Sequence, residues 1–246
     1  APGIWTWYHF WYDHEKMRKT VVPCVEGCRK AGCAEIVFTM WGDHGGYCLP
    51  DAELAGMTFA AGVAWGESPD AAELYQATLR AIAGMDYGAS LDFAKMTKHY
   101  WDEWPDMVLE ENTLYDDPLF CMSYNNYRAR TNGVAAVEDH LRILEGLRNR
   151  KDAPPALVAL VNVLARKLCY QRDVLAAYEA KDFTTLRAIA KKRLPDLIRA
   201  FDKFDHLFRE DWHRTSKPFG LEVIQIRNAG QRARLVEAAA RINEFL

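Results

Sequence analysis

Trp41 and Asp43 stand two residues apart in Glu35-Ile36-Val37-Phe38-Thr39-Met40-Trp41-Gly42-Asp43-His44-Gly45-Gly46, and their chemistry is complementary. An indole face stacks on the C–H face of a sugar ring, and a nearby carboxylate accepts hydrogen bonds from its hydroxyls. The flanking glycines let the backbone turn tightly around such a ligand. The same residues also read as a strand-end Trp in the core and a turn Asp, and the motif alone leaves both open. A second constellation, Cys24, Cys28 and Cys33 with His44 and Cys48, offers ligands of the type that hold zinc. No CxxC pair occurs, however, and Cys24 and Cys28 fall on a helical face with Met17 and Val21, where thiols behave as small core residues. The six cysteines are therefore expected to be reduced and buried, with no metal and no cofactor.

Positioning Trp41 and Asp43 requires a strand that stops at Gly42. Ile36–Trp41 is a short apolar run with β-branched and aromatic residues, which predicts a strand buried on both faces, as in a parallel sheet. In α/β folds the loop after such a strand is where ligands are met. Ile4–Phe10 predicts another strand. Between them a helix opens at Asp13 or His14 and runs to about Ala31, with Gly32 as terminator. Pro50 begins a further helix that ends near Trp65, before Gly66-Glu67-Ser68-Pro69. Strand, helix, strand, helix makes two βα units.

Beyond Asp70 the pattern is helical. Segments 70–83, 89–104, 134–148 and 156–180 predict helices, with 105–133 as an irregular connection. Asp182 can cap the next helix, and Pro195 suits a restart that carries Leu197, Phe201, Phe204 and Phe208. A last helix follows Lys217-Pro218-Phe219-Gly220. The expected organisation is α/β followed by all-α, with domains at 1–66 and 67–246.

The 246 residues are half hydrophobic, ample for a core, and the net charge of −3 gives no reason to expect nucleic acid or an anionic membrane as partner. No apolar run approaches the ~20 residues of a membrane span. The chain opens Ala1-Pro2-Gly3 without Met, which reads as an interior cut. Two βα units cannot close a barrel, which needs about 250 residues in full, so the remaining strands are expected to come from elsewhere.

Four ordered segments resemble the carboxyl-terminal part of a family 20 glycoside hydrolase. They are Trp5-Thr6-Trp7, Thr39–Gly46, Tyr115-Asp116-Asp117-Pro118-Leu119, and the stretch from Lys217-Pro218-Phe219-Gly220 to Ile226-Arg227. The nearest likeness is to bacterial exo-β-N-acetylhexosaminidases with a helical domain after the barrel. The resemblance implies that 1–66 are the last two βα units of a (β/α)₈ TIM barrel and 67–246 the helical domain beside it. It implies removal of terminal N-acetylglucosamine or N-acetylgalactosamine with retention, the substrate's own acetamido oxygen attacking the anomeric carbon. The family's Asp-Glu pair would precede residue 1, so no catalytic residue is expected here. Asp102-Glu103, within Tyr100-Trp101-Asp102-Glu103-Trp104-Pro105, follows no strand and reads as a helix end.

The resemblance makes Trp41 the indole under the terminal sugar and Asp43 the acceptor from O4 and O6. Trp5 and Trp7, two apart on a strand, would point to opposite faces, so at most one would meet the barrel mouth unless the strand bends. Tyr8 and His9 are further contacts or aromatic packing, and His44 stands where the family often has Asp or Asn. Arg227 would touch ligand or pin helix to loop. The implied partners are an amino-sugar glycan and the missing amino-terminal barrel strands, with a homodimer left open. Two rivals remain: a non-catalytic helical or carbohydrate-binding module with a barrel remnant, and a metal-dependent α/β enzyme using His44 and the cysteines.

Overall fold

The aromatic run at the start of the chain becomes core. In the computed structural model, which describes residues 1–45, 47–101 and 109–246, Ile4, Phe10, Trp11 and Tyr12 are buried. Phe10 stacks on Tyr47 at 4.4 Å, and the Trp11 indole N–H donates to the carbonyl of Ser90. Helix α1 (His14–Lys30) starts where Asp13 accepts the N–H of Lys16, and it turns Met17, Val21 and Val25 inward. Helix α2 (Pro50–Trp65) begins on Pro50 and stops at Gly66, whose φ of 100° suits a residue without Cβ. Helices α3 (Ala72–Ala83) and α4 (Tyr87–Ala94) follow, the second capped by Asp86 and continued by a 3₁₀ turn, Lys95–Thr97. The expected helix 89–104 therefore starts earlier and ends sooner, and Asp102-Glu103 lies outside the described residues.

The two expected strands are not formed among the described residues. Gly3 and Thr39 make one isolated parallel bridge, in which Ile4 N–H donates to the Thr39 carbonyl and Thr39 N–H to that of Pro2. The ladder goes no further because Trp5 turns out of the extended region, at φ 58°. Nor is 35–41 buried on both faces: Val37 is 62% and Trp41 53% exposed. A lone parallel pair has slanted bonds and marginal stability, so apolar β-rich sequence did not suffice to make sheet here. The described residues thus form a helical fold, and the partial barrel is not among their structure.

The chain divides into two compact units: Ala1–Val108 with Lys151–Pro154, and Leu109–Arg150 with Pro155–Leu246. The boundary expected at 66–70 falls within the first. The second unit is organised on α8 (Pro155–Glu179), whose Leu157, Leu160, Val161, Leu164 and Leu168 are buried. Against it lie α7 (Gly133–Leu147) and α10 (Leu194–Thr215), and α10 in turn packs on α11 (Leu221–Phe245). Asp182 caps the short α9 (Phe183–Ala188), and a π-turn over Ile189–Arg193 joins α9 to α10. The stretch 105–133 is not irregular throughout: α5 (Leu109–Tyr115) and α6 (Met122–Arg128) form within it. Seven polar-rich residues are two turns, too short to show an apolar period. Among the described residues no helix is long and apolar enough to cross a membrane.

Candidate functional site

Trp41, Asp43 and His44 are exposed together at the end of the 35–41 segment, and Asp43–Gly45 form one turn of 3₁₀ helix. His44 sits there at φ 57°, a left-handed conformation that places its ring 5.9 Å from that of Tyr8. The loop is anchored by a residue that pattern reading passed over. The buried Thr6 hydroxyl donates to the Trp41 carbonyl at 3.0 Å and accepts the Trp41 N–H at 3.3 Å. The backbone of Trp41 is therefore fixed while its indole stays in solvent. This arrangement can do two things: offer a flat apolar face, and present a carboxylate one turn away.

Trp5 and Trp7 do not alternate. The positive φ at Trp5 folds the pair together, with ring centroids 4.1 Å apart. Trp5 is committed to α1, its indole N–H donating to Thr20 Oγ1 at 2.8 Å with the Lys16 ammonium 3.9 Å from its ring centre. Trp7 lies against Gly3, where a Cβ would overlap the indole. Of the expected contact residues the structure gathers Trp41, Asp43, His44 and Tyr8 around one loop, and sends Trp5 and Trp7 to packing. Arg227 sits 5.7 Å from the centre of the Tyr115 ring and pins α11 to α5.

None of the six cysteines is in a disulfide, but the expectation that they are buried holds only for Cys121. Cys24, Cys28, Cys48 and Cys169 are half-buried and Cys33 is exposed. Met17, Val21 and Val25 occupy the inner face of α1 instead. Hydrogen bonding with Cys28 pushes the Cys33 thiol up. Among the described residues the grouping with metal-ligand spacing is His9, Asp13 and His99, not His44 with the cysteines. Asp13 is pushed up by burial, yet hydrogen bonds from His99 and from the Lys16 N–H outweigh that and hold it below the usual carboxylate range.

In the second unit the Tyr115–Leu119 motif builds structure. The Lys167 ammonium, fully buried, donates to the carbonyls of Leu114 and Asp116 and to Gln231 Oε1, each at 2.6 Å. Burial pulls its pKa down to about 7, against the pull of Asp116. Asp116 accepts the N–H of Ser123, and Asp117 accepts those of Leu119 and Phe120 while pairing with Arg234. The Lys217–Gly220 turn launches α11 from Gly220 at φ 95°, with the Trp212 indole N–H donating to the Lys217 carbonyl.

The second unit is helical throughout its elements, and the family comparison says which domain family it fits. A family model described as the glycoside hydrolase 20C C-terminal domain matches residues 112–246, more than half of the chain. The chain belongs to that family, and is therefore related to glycoside hydrolases. No curated protein matches the chain. The matched stretch takes in the Lys167 network and lies outside the Trp41 loop.

Proposed function

We propose that the chain is the carboxyl-terminal part of a retaining exo-β-N-acetylhexosaminidase acting on terminal β-linked N-acetylglucosamine or N-acetylgalactosamine. In this reading the acetamido oxygen of the substrate attacks the anomeric carbon and the glycosidic C–O bond breaks. An Asp upstream of this chain orients the acetamido group, and a Glu beside it gives its proton to the leaving oxygen. Water then opens the cyclic intermediate, and the anomeric configuration is retained. The chain's own contribution is binding: Trp41 stacks under the terminal ring and Asp43 accepts from its outer hydroxyls.

The observation that carries the reading is the exposed Trp41 held by its backbone on buried Thr6, with Asp43 in the following turn. Membership of the 20C family supports the reaction class. The exposure of Val37, Met40 and Trp41 fits a segment that gains neighbours from upstream barrel strands. The test is a chain extended upstream through the Asp-Glu pair. It should release nitrophenol from a nitrophenyl N-acetylglucosaminide, and Trp41→Ala in it should raise KM. Normal kinetics in the Trp41→Ala variant would remove this loop from the sugar site.

A further inference from the structure

His9, Asp13 and His99 come from stretches up to 90 positions apart and converge at the start of α1, one ligand-type atom of each lying within 4.8 Å of the other two. Asp13 is already held in place. One carboxylate oxygen accepts the Lys16 N–H at 2.9 Å and the other lies 2.8 Å from His99 Nε2. His9 is buried, its ring meeting that of His99 edge-on at 5.9 Å and that of Tyr8 at 4.9 Å. The His99 side chain is 23% exposed against 3% for Asp13, so the cluster reaches solvent at His99.

We propose that His9, Asp13 and His99 form a binding site for a divalent transition-metal ion of the Zn²⁺ type. Two imidazoles and one carboxylate are the donor set that such borderline ions take, whereas Mg²⁺ and Ca²⁺ prefer shells of six or more oxygens. Bonds of about 2.1 Å put tetrahedral ligand atoms about 3.4 Å apart, so on binding the 2.8 Å contact between Asp13 and His99 would open slightly and the wider separations, at most 4.8 Å, would close. Water takes the fourth position on the solvent side. The ion would clip residue 99 to the segment before α1, with the second carboxylate oxygen of Asp13 still capping the helix. Trp41 and Asp43, on which the hexosaminidase reading rests, are not ligands, so the site stands or falls independently of that reading.

The test uses the 246-residue chain, stripped with a chelator and titrated with ZnCl₂ by calorimetry, then with CoCl₂ by absorption. Expected are one ion per chain, a rise in Tm on loading, and Co²⁺ bands of a tetrahedral nitrogen–oxygen site. His99→Gln, at the solvent edge, and Asp13→Asn, which keeps an acceptor for the Lys16 N–H, should each weaken binding at least tenfold. Their metal-free Tm values should stay near that of the parent chain. A thiolate-to-cobalt charge-transfer band would put the ion on cysteines and overturn the site. So would failure to bind stoichiometrically, or binding that neither variant weakens, leaving Asp13 and His99 as a hydrogen-bonded pair only.

Discussion

Asp43 and Lys167 show two fates of a charged residue. Asp43 is exposed in a turn, and on the proposed function Asp43→Asn in the extended enzyme would remove the charge that strengthens hydrogen bonds from sugar hydroxyls. Such bonds contribute about 1.5–3 kcal/mol each, so kcat/KM should fall roughly ten- to a hundredfold with Tm unchanged. A plain turn former would instead lose stability and keep its kinetics. Trp41→Ala should lower kcat/KM further yet cost little stability, because the indole is half in solvent. Lys167→Met is the opposite case. It fits the space but strands the carbonyls of Leu114 and Asp116 in the core, and urea unfolding should show a loss of about 2–5 kcal/mol.

At the scale of elements, the joints carry the constraint. Gly133 opens α7 in contact with the α6 segment, where a Cβ would overlap the backbone carbonyl of Tyr127. Backbone cannot rotate away as a side chain can, so Gly133→Ala should cost about 1–3 kcal/mol, read as a lower urea midpoint at unchanged slope. The first unit has its own joint at Trp5, where a positive φ ends the bridge to Thr39 and throws both indoles to one side. An alternating Trp-Thr-Trp pattern carries no mark of that turn, since the period of two presumes an extended backbone throughout. One cap was legible by contrast. Asp13, Asp86 and Asp182 each accept a backbone N–H three residues on. The cap at Asp182 was expected from side-chain chemistry alone, and the first helix was expected to open at Asp13 or His14 without a cap being assigned.

For the whole molecule, activity and acid stability separate. On the proposed function the acid lies upstream, and general acid catalysis supplies about 10²–10⁴-fold, so the 246-residue chain by itself should not hydrolyse a nitrophenyl N-acetylglucosaminide above background. Turnover by the purified chain would show that the acid is within it. Stability should fall in acid through Asp117 and Asp173. Burial pushes both up, but Arg234 with the N–H groups of Leu119 and Phe120, and Arg172 with Arg193, outweigh it. Their folded pKa values lie below those of the unfolded chain, which then binds more protons as pH falls. The stabilisation is complete above about pH 4 and drains away below it. Asp117→Asn should flatten that acid limb in thermal melts taken from pH 5 to pH 2.

The sequence by itself determined the long helices and the cap at Asp182, because a 3.6-residue apolar period, a capping Asp and a Pro at the first turn are local facts that burial then reinforces. Helices α5 and α6 and the Asp86 cap carried no such mark. The sequence also marked Trp41 and Asp43 as neighbours at a strand end and the loop after it, because two residues of spacing in a glycine-rich turn leave little to tertiary context, while the exposure of Trp41 came only with the fold. Only the folded chain decided that the β-rich segments make a single bridge, since pairing depends on strands elsewhere and not on the segment's own composition. Tertiary structure likewise decided that Thr6 anchors Trp41 and that His99 meets His9 and Asp13, contacts across 35 and 86 positions that no local period encodes. Burial decided the rest: Asp116 and Lys167, ordinary surface residues by type, became a core network because the carbonyls around them had no water to turn to.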